Sequence, residues 1–322
     1  MLTPGGSYAR WHRSPATFRE LPIMSLARRV LPIFGAAFLV ALGASQPVEA
    51  QAPRGADCGN DGGGFEAWLG RFRAHAAQQG ITPQVIQVGL GGLTYDSNVV
   101  RLDRGQKSFK LSFDEFYRRR VGDALINRGR RLMAQHAALL QRIERQYGVP
   151  GPVLVSIWGL ETNYGSDGGG KMFIPRSLAT LAYDCRRSEF FRNELLATLK
   201  VIQRGDMTAQ QMVGGWAGEI GQVQFLPSSY FKFAVDYDGD GRRDLVRSVP
   251  DMLASTANFL KGHGWQAGQG WQEGSHNFAV IGLWNKAQVY QKTIAVMSQK
   301  LAASRDLPPP APRPKPKSPR DT

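Results

Sequence analysis

Residues 152–165, PVLVSIWGLETNYG, constrain this chain more than any other segment. Read as a helix, Leu154, Ile157, Trp158 and Glu161 fall at i, i+3, i+4 and i+7, so a carboxylate ends an apolar stripe. Desolvation at such a place penalises the ionised form and raises the carboxyl pKa. A general acid working near neutral pH needs a carboxyl of that kind. Gly165 is placed to stop the helix, and Gly168-Gly169-Gly170 keeps the next segment open. The same pattern fits a helix-end glutamate satisfied by an arginine or a backbone donor, and the stripe alone does not choose.

The surrounding periodicity is helical. Phe65, Trp68, Leu69 and Phe72 recur at helical spacing, and Thr82-Pro83 reads as an N-cap with proline at the first helical position, opening a helix through Val88. One long amphipathic helix is predicted over 128–147, carrying Leu132, Leu139, Leu140 and Ile143 and ended by Tyr147-Gly148-Val149-Pro150. Further helices fit 176–183, 188–203, 208–213, 250–262 and 286–303; the best strand-like alternation is 276–281. The fold class is therefore mainly α. Residues 51–64 are rich in Gly and Asp and read as a lead-in, and residues 304–322 read as a Pro/Lys-rich solvated tail.

Arg28-Arg29, an apolar run over 30–44 and the small-residue triplets Val48-Glu49-Ala50 and Ala50-Gln51-Ala52 describe a cleaved export signal, making 1–50 a leader and the mature protein periplasmic. Met24 is an alternative start, and an uncleaved anchor is the competing reading. The two cysteines, Cys58 and Cys185, both follow the signal; an even count in an oxidising compartment predicts a disulfide, against two separate buried thiols. The net charge of +14 suggests an anionic partner. No pattern of a nucleic-acid-binding module is present, so nucleic acid is not the expected one.

Ile157-Trp158-Gly159-Leu160-Glu161-Thr162-Asn163-Tyr164-Gly165 resembles the catalytic segment of the lytic murein transglycosylases of B type, glycoside hydrolase family 103. Leu178-Ala179-Thr180-Leu181-Ala182-Tyr183-Asp184 with Arg186-Arg187, the run from Ala217 to Tyr230 containing Gln224, and His263-Gly264-Trp265 are similar to further family segments, in order, over roughly 58–303. The resemblance implies a lysozyme-like helical domain with a small loop- and strand-containing subdomain. It also implies cleavage of the bond between N-acetylmuramic acid and N-acetylglucosamine in peptidoglycan, by one carboxyl and no cofactor. Glu161 would protonate the bridging oxygen, then act as base on the muramoyl C6 hydroxyl, leaving a 1,6-anhydro end. Ordinary glycosidases use two carboxylates. A hydrolytic muramidase and a non-catalytic peptidoglycan-binding protein are the rival readings. Asp167 reads as solvated and Glu219 as structural.

By the same resemblance, Gln224, Arg186, Arg187, Tyr230, Phe259, Trp284 and Tyr290 are candidate substrate contacts. Each has a plainer alternative: a backbone-bonded amide for Gln224, solvated surface for the arginines, core packing for Trp284 and Tyr290. The partners implied are glycan strands, with peripheral association to other cell-wall enzymes. Asp236, Asp238, Asp240, Asp244 and the Arg242 carbonyl have the spacing of an EF-hand-like loop for a structural Ca²⁺. Arg247 stands where the bidentate Glu belongs, and a metal-free Asp/Gly turn is the alternative. Asp251 is near enough to substitute, but with Ser248 it also fits a capping box.

Overall fold

The computed structural model describes residues 57–105 and 111–303. The expected leader with its cleavage triplets and the 304–322 tail lie outside these residues. Within them the chain is mainly α, as expected.

The first helices are α1 (Phe65–Gln78) and α2 (Pro83–Leu90); the Thr82 side chain accepts the Val85 N–H with Pro83 behind it, as the Thr-Pro pair dictates. Next come α3 (Ser97–Gly105), α4 (Phe113–Arg120), α5 (Asp123–Gln135) and α6 (Ala137–Tyr147). The single helix predicted over 128–147 is thus two, hinged at His136. No Gly or Pro marks the break, and buried Met133, Leu139, Leu140 and Ile143 carry the apolar period through it.

The centre is α7 (Gly151–Thr162), against which α5, α6, α11 (Val249–Gly262) and α13 (Gln288–Ala302) pack. Every residue of α7 except Glu161 is buried. The helix is apolar all round rather than striped, which is the mark of a core helix. Burying Leu154, Ile157 and Leu160 contributes roughly 1.5–3 kcal/mol each. That packing outweighs the poor helix propensity of Val153, Val155 and Gly159. A Cβ on Gly159 would lie 2.7 Å from the Tyr164 ring, so this position has no room for a side chain.

Beyond α7, β1 (Met172–Phe173) pairs antiparallel with β2 (Val213–Gly214), Met172 opposite Gly214. This ribbon and its loops form the small subdomain. Between the strands run α8 (Ile174–Tyr183) and α9 (Ser188–Arg204), closely packed on each other. Cys185, in the turn joining them, is bonded to Cys58. The helix predicted over 208–213 is a 3₁₀ turn, Ala209–Gln211, closed by a Thr208/Gln211 capping box and followed at once by β2. After α10 (Pro227–Phe233) and α11, the strand expected at 276–281 is instead α12 (His276–Trp284). Ser275 caps its N-terminus, and its buried residues Asn277, Val280 and Ile281 follow helical spacing.

Candidate active site

Glu161 occupies the last turn of α7 and is that helix's one opening toward the surface. The backbone then turns left-handed at Asn163 (φ 49°) and Tyr164 (φ 58°). The stop is therefore Asn163, two residues before the expected Gly165. Left-handed backbone costs a non-glycine residue on the order of 1–2 kcal/mol and persists where neighbours enforce it. The Tyr164 hydroxyl donates to the Leu125 carbonyl at 3.1 Å, and Arg128 stands over its ring. The third non-glycine residue with positive φ among those described is Gln224 (φ 54°), so all three fall on segments that the sequence assigned to the site.

The Glu161 Oε1 atom accepts the Trp284 indole N–H at 2.8 Å. Trp284 is held edge-on by Phe225 and Phe259, with ring centroids 5.3 and 5.1 Å away. The Tyr290 hydroxyl is buried near the carboxyl without a hydrogen bond of good geometry to any partner, yet it acts on the carboxyl's charge. Arg120, at the end of α4, donates to the Leu160 carbonyl beside the acid. Burial pushes the Glu161 carboxyl up to about 7; the Trp284 and Tyr290 contacts and the Arg120 charge oppose that rise, and the Glu219 carboxylate adds to it. Although an edge of the group is open to solvent, protein surrounds the carboxyl on most sides, and desolvation prevails over its donors. Close to neutral pH, Glu161 is thus poised between acid and base forms. The indole N–H can only donate, which favours Oε2 as the oxygen that bears the transferable proton.

Gln224 gives its amide hydrogens to the carbonyls of Gly169 (2.9 Å) and Gly221 (2.8 Å), which leaves Oε1 as its remaining polar atom. Arg186 and Arg187 both bind the carboxylate of buried Asp103, one to each oxygen, while their own side chains stay partly exposed. Three expected contacts are buried. Tyr230 is fully buried with its hydroxyl on the Arg243 carbonyl, so it braces the acidic loop and presents nothing to a ligand. Phe259 packs behind Trp284 between Phe225, Phe233 and His263. Tyr290 is buried in the core cluster, its hydroxyl next to the Glu161 carboxyl. Asp167 is exposed, as expected. Sequence reasoning missed Arg120, because an arginine in a run of three at a helix end reads as solvated charge until the fold brings it to Leu160.

In the acidic loop, Asp236, Asp238 and Asp251 present carboxylate oxygens within 4.8 Å of one another. Asp240 accepts the Arg242 N–H, and Asp244 accepts those of Val246 and Arg247. Asp251 is buried and accepts the N–H groups of Tyr237 and Asp244 at 2.7 and 2.8 Å, while its own N–H is capped by Ser248. The cap of α11 is thus the Ser248 hydroxyl alone, without the reciprocal bond of a capping box, and the Asp251 carboxylate belongs to the acidic cluster. Three hard oxygen donors suit calcium.

Residues 64–276 match the family model of the transglycosylase SLT domain. The chain belongs to this transglycosylase family. Over 135 residues it is 40% identical to the membrane-bound lytic murein transglycosylase B of Escherichia coli K12, a segment covering 42% of this chain but 37% of that protein's length. The SltB3 of Pseudomonas aeruginosa in complex with NAG-anhNAM-pentapeptide superposes with a TM-score of 0.69 at 33% identity, over 74% of this chain and 79% of that chain. The E. coli lytic transglycosylase Slt35 in complex with calcium gives 0.64 at 25%, over 74% and 93%. The lysozyme-like helical fold expected of a transglycosylase is the one found. Among the described residues no helix is long and apolar enough to cross a membrane.

Proposed function

We propose that this chain is a peptidoglycan lytic transglycosylase with Glu161 as its acid and base. The carrying observation is a single carboxyl at about 7 at the end of an otherwise buried helix, with an N–H donor fixed on one oxygen. In the first step Oε2 gives its proton to the oxygen between the muramoyl and glucosaminyl rings, and the C1–O bond breaks. The carboxylate so formed takes the proton of the muramoyl C6 hydroxyl as that oxygen bonds to C1. The proton returns to Glu161, and no water is consumed. Because the C6 hydroxyl is tethered to the reacting ring, its effective concentration far exceeds that of a free nucleophile. The partly exposed Arg186 and Arg187, fixed on Asp103, suit an anionic glycopeptide, and the Gln224 Oε1 suits a sugar or amide N–H. Action on the wall in the periplasm, after removal of residues 1–50, accords with the export signal and the Cys58–Cys185 bond.

Mass analysis of fragments released from purified sacculi tests the reading. Ends of 1,6-anhydromuramic type are expected; predominantly reducing muramic ends would mean hydrolysis. For the acidic loop, Asp236, Asp238 and Asp251 are the residues that would hold a structural Ca²⁺. At free calcium roughly tenfold above Kd the fold should gain about 1.4 kcal/mol. Thermal melts with and without calcium read that gain, and Asp238→Ala should remove it. Identical melts for the wild type at millimolar calcium reject the ion.

A further inference from the structure

A cavity of about 480 Å³ lies against the loop that follows Glu161, and the acid itself is not part of its lining. The Trp158 and Tyr164 rings, Val213 of β2, Val246 and Val249 give it apolar walls. Gly169 and Gly221 also line it, and their carbonyls are the two that hold the Gln224 amide, so Gln224 stands at its edge. The Gln222 side chain braces one wall: Oε1 accepts the Trp158 indole N–H at 2.9 Å, and Nε2 donates to the Val246 carbonyl at 2.9 Å. Among the described residues that line the cavity, Arg128 carries the one charge and none is acidic. Its guanidinium stands 5.5 Å from the Tyr164 ring centroid, and it donates to the Ser166 hydroxyl at 2.5 Å and to the Tyr164 carbonyl at 3.4 Å. Both acceptors are neutral, and a guanidinium has five N–H donors to place. Asp167, the acid of the same loop, is exposed and outside the lining.

We infer that this cavity is a subsite for the terminal carboxylate of a short peptide with small apolar side chains, and that Arg128 recognises the carboxylate. The volume suits a small ligand, and apolar walls with one convergent polar group are what such sites present. The planar guanidinium matches a carboxylate with two parallel donors. Already held by a ring and a hydroxyl, it loses little freedom when a ligand arrives. Three valines and two rings receive methyl-sized side chains and offer nothing to a second charge. A sugar ring needs polar partners on several sides, and the Gln222 amide is already committed within the wall. Two sources supply a carboxylate of this kind: the peptide carried by a glycan strand, and a free peptide. The first rests on the reading of this chain as a transglycosylase, and the cavity's place beside Gln224 puts a strand-borne peptide within reach.

The test is calorimetric titration of the protein with N-acetyl-D-alanyl-D-alanine and with its C-terminal amide. The wild type should bind the carboxylate form about tenfold more tightly than the amide, the scale of a hydrogen bond to a charged group. Arg128→Met keeps the stem of the side chain and should lose that preference. Val213→Trp fills the cavity from the exposed strand and should weaken both forms, which guards against a fold disturbed at 128. No binding by the wild type, equal binding of the two forms, or a preference that survives in Arg128→Met overturns the inference. Turnover then separates the sources. A strand-borne peptide predicts that the ratio of kcat/KM on peptide-bearing strands to that on peptide-stripped strands falls about tenfold in Arg128→Met. An unchanged ratio, with the carboxylate preference lost, assigns the cavity to a free peptide. Should the wild type turn over neither kind of strand, the transglycosylase reading falls while the titration still decides the subsite.

Discussion

Glu161→Gln is expected to lose turnover by roughly 10²–10⁴-fold for each of the two proton transfers it can no longer perform, while still binding glycan strands. Gln keeps the shape and still accepts the Trp284 N–H, so the loss belongs to the missing proton. In the wild type, the acid form disappears as pH rises through about 7, and turnover should decline over the same interval. The stability of the fold changes with pH in the same direction. Because the folded-state pKa lies above the ordinary value, Glu161 favours the folded form at low pH and weakens it as pH rises through about 7. The Gln variant avoids that penalty and should melt at or above the wild-type temperature at pH 8. Turnover assays on sacculi and paired melting curves check both; near-normal turnover by Glu161→Gln would place the acid elsewhere.

Removing the Cys58–Cys185 bond is expected to produce the largest loss of stability of any single change away from the core. The bond joins residues 127 apart. Constraining a loop of that length in the unfolded chain is worth at most about 5 kcal/mol in the chain-entropy account. For a domain of this size the melting temperature should drop on the order of 10 °C. Cys185 also directly precedes Arg186 and Arg187, so its release should loosen the pair more than it disturbs α7. Melts of Cys58→Ser/Cys185→Ser against wild type, and of wild type with and without reductant, measure the effect. Superimposable curves would assign the bond no structural role.

Much of this was legible in the sequence because local rules and the fold agree. The Thr82-Pro83 start, the Phe65–Phe72 spacing and the apolar approach to Glu161 each state their own structure. Where the signals fail, the missing information is tertiary. His136 breaks a helix without Gly or Pro, because the packing on α7 and α11 chooses the bend. The alternation at 276–281 is short enough to fit either period, and the Ser275 cap together with the neighbouring helices decides for α12. Tyr230, Phe259 and Tyr290 have the residue types of a sugar platform, and only the fold shows that all three are buried. The resemblance located Gln224, Arg186 and Arg187; their anchoring on Gly169, Gly221 and Asp103 comes from segments distant in sequence. No spacing rule connects Arg120 or Glu219 to Glu161.

The burial of α7 on every side has a consequence for how this protein tolerates change. In many enzymes the reactive groups hang on surface loops, and a drifting sequence can remodel them while the scaffold stays intact. Here Glu161 is mounted on a helix whose every other residue is buried, so each neighbour of Leu154, Ile157 or Trp158 serves both the fold and the placement of the carboxyl. A substitution that loosens that helix displaces the carboxyl as it weakens the domain, and the two effects cannot be separated by selection. Variation is left to the outer helices and to the exposed loops, which can diverge while the setting of Glu161 stays the same.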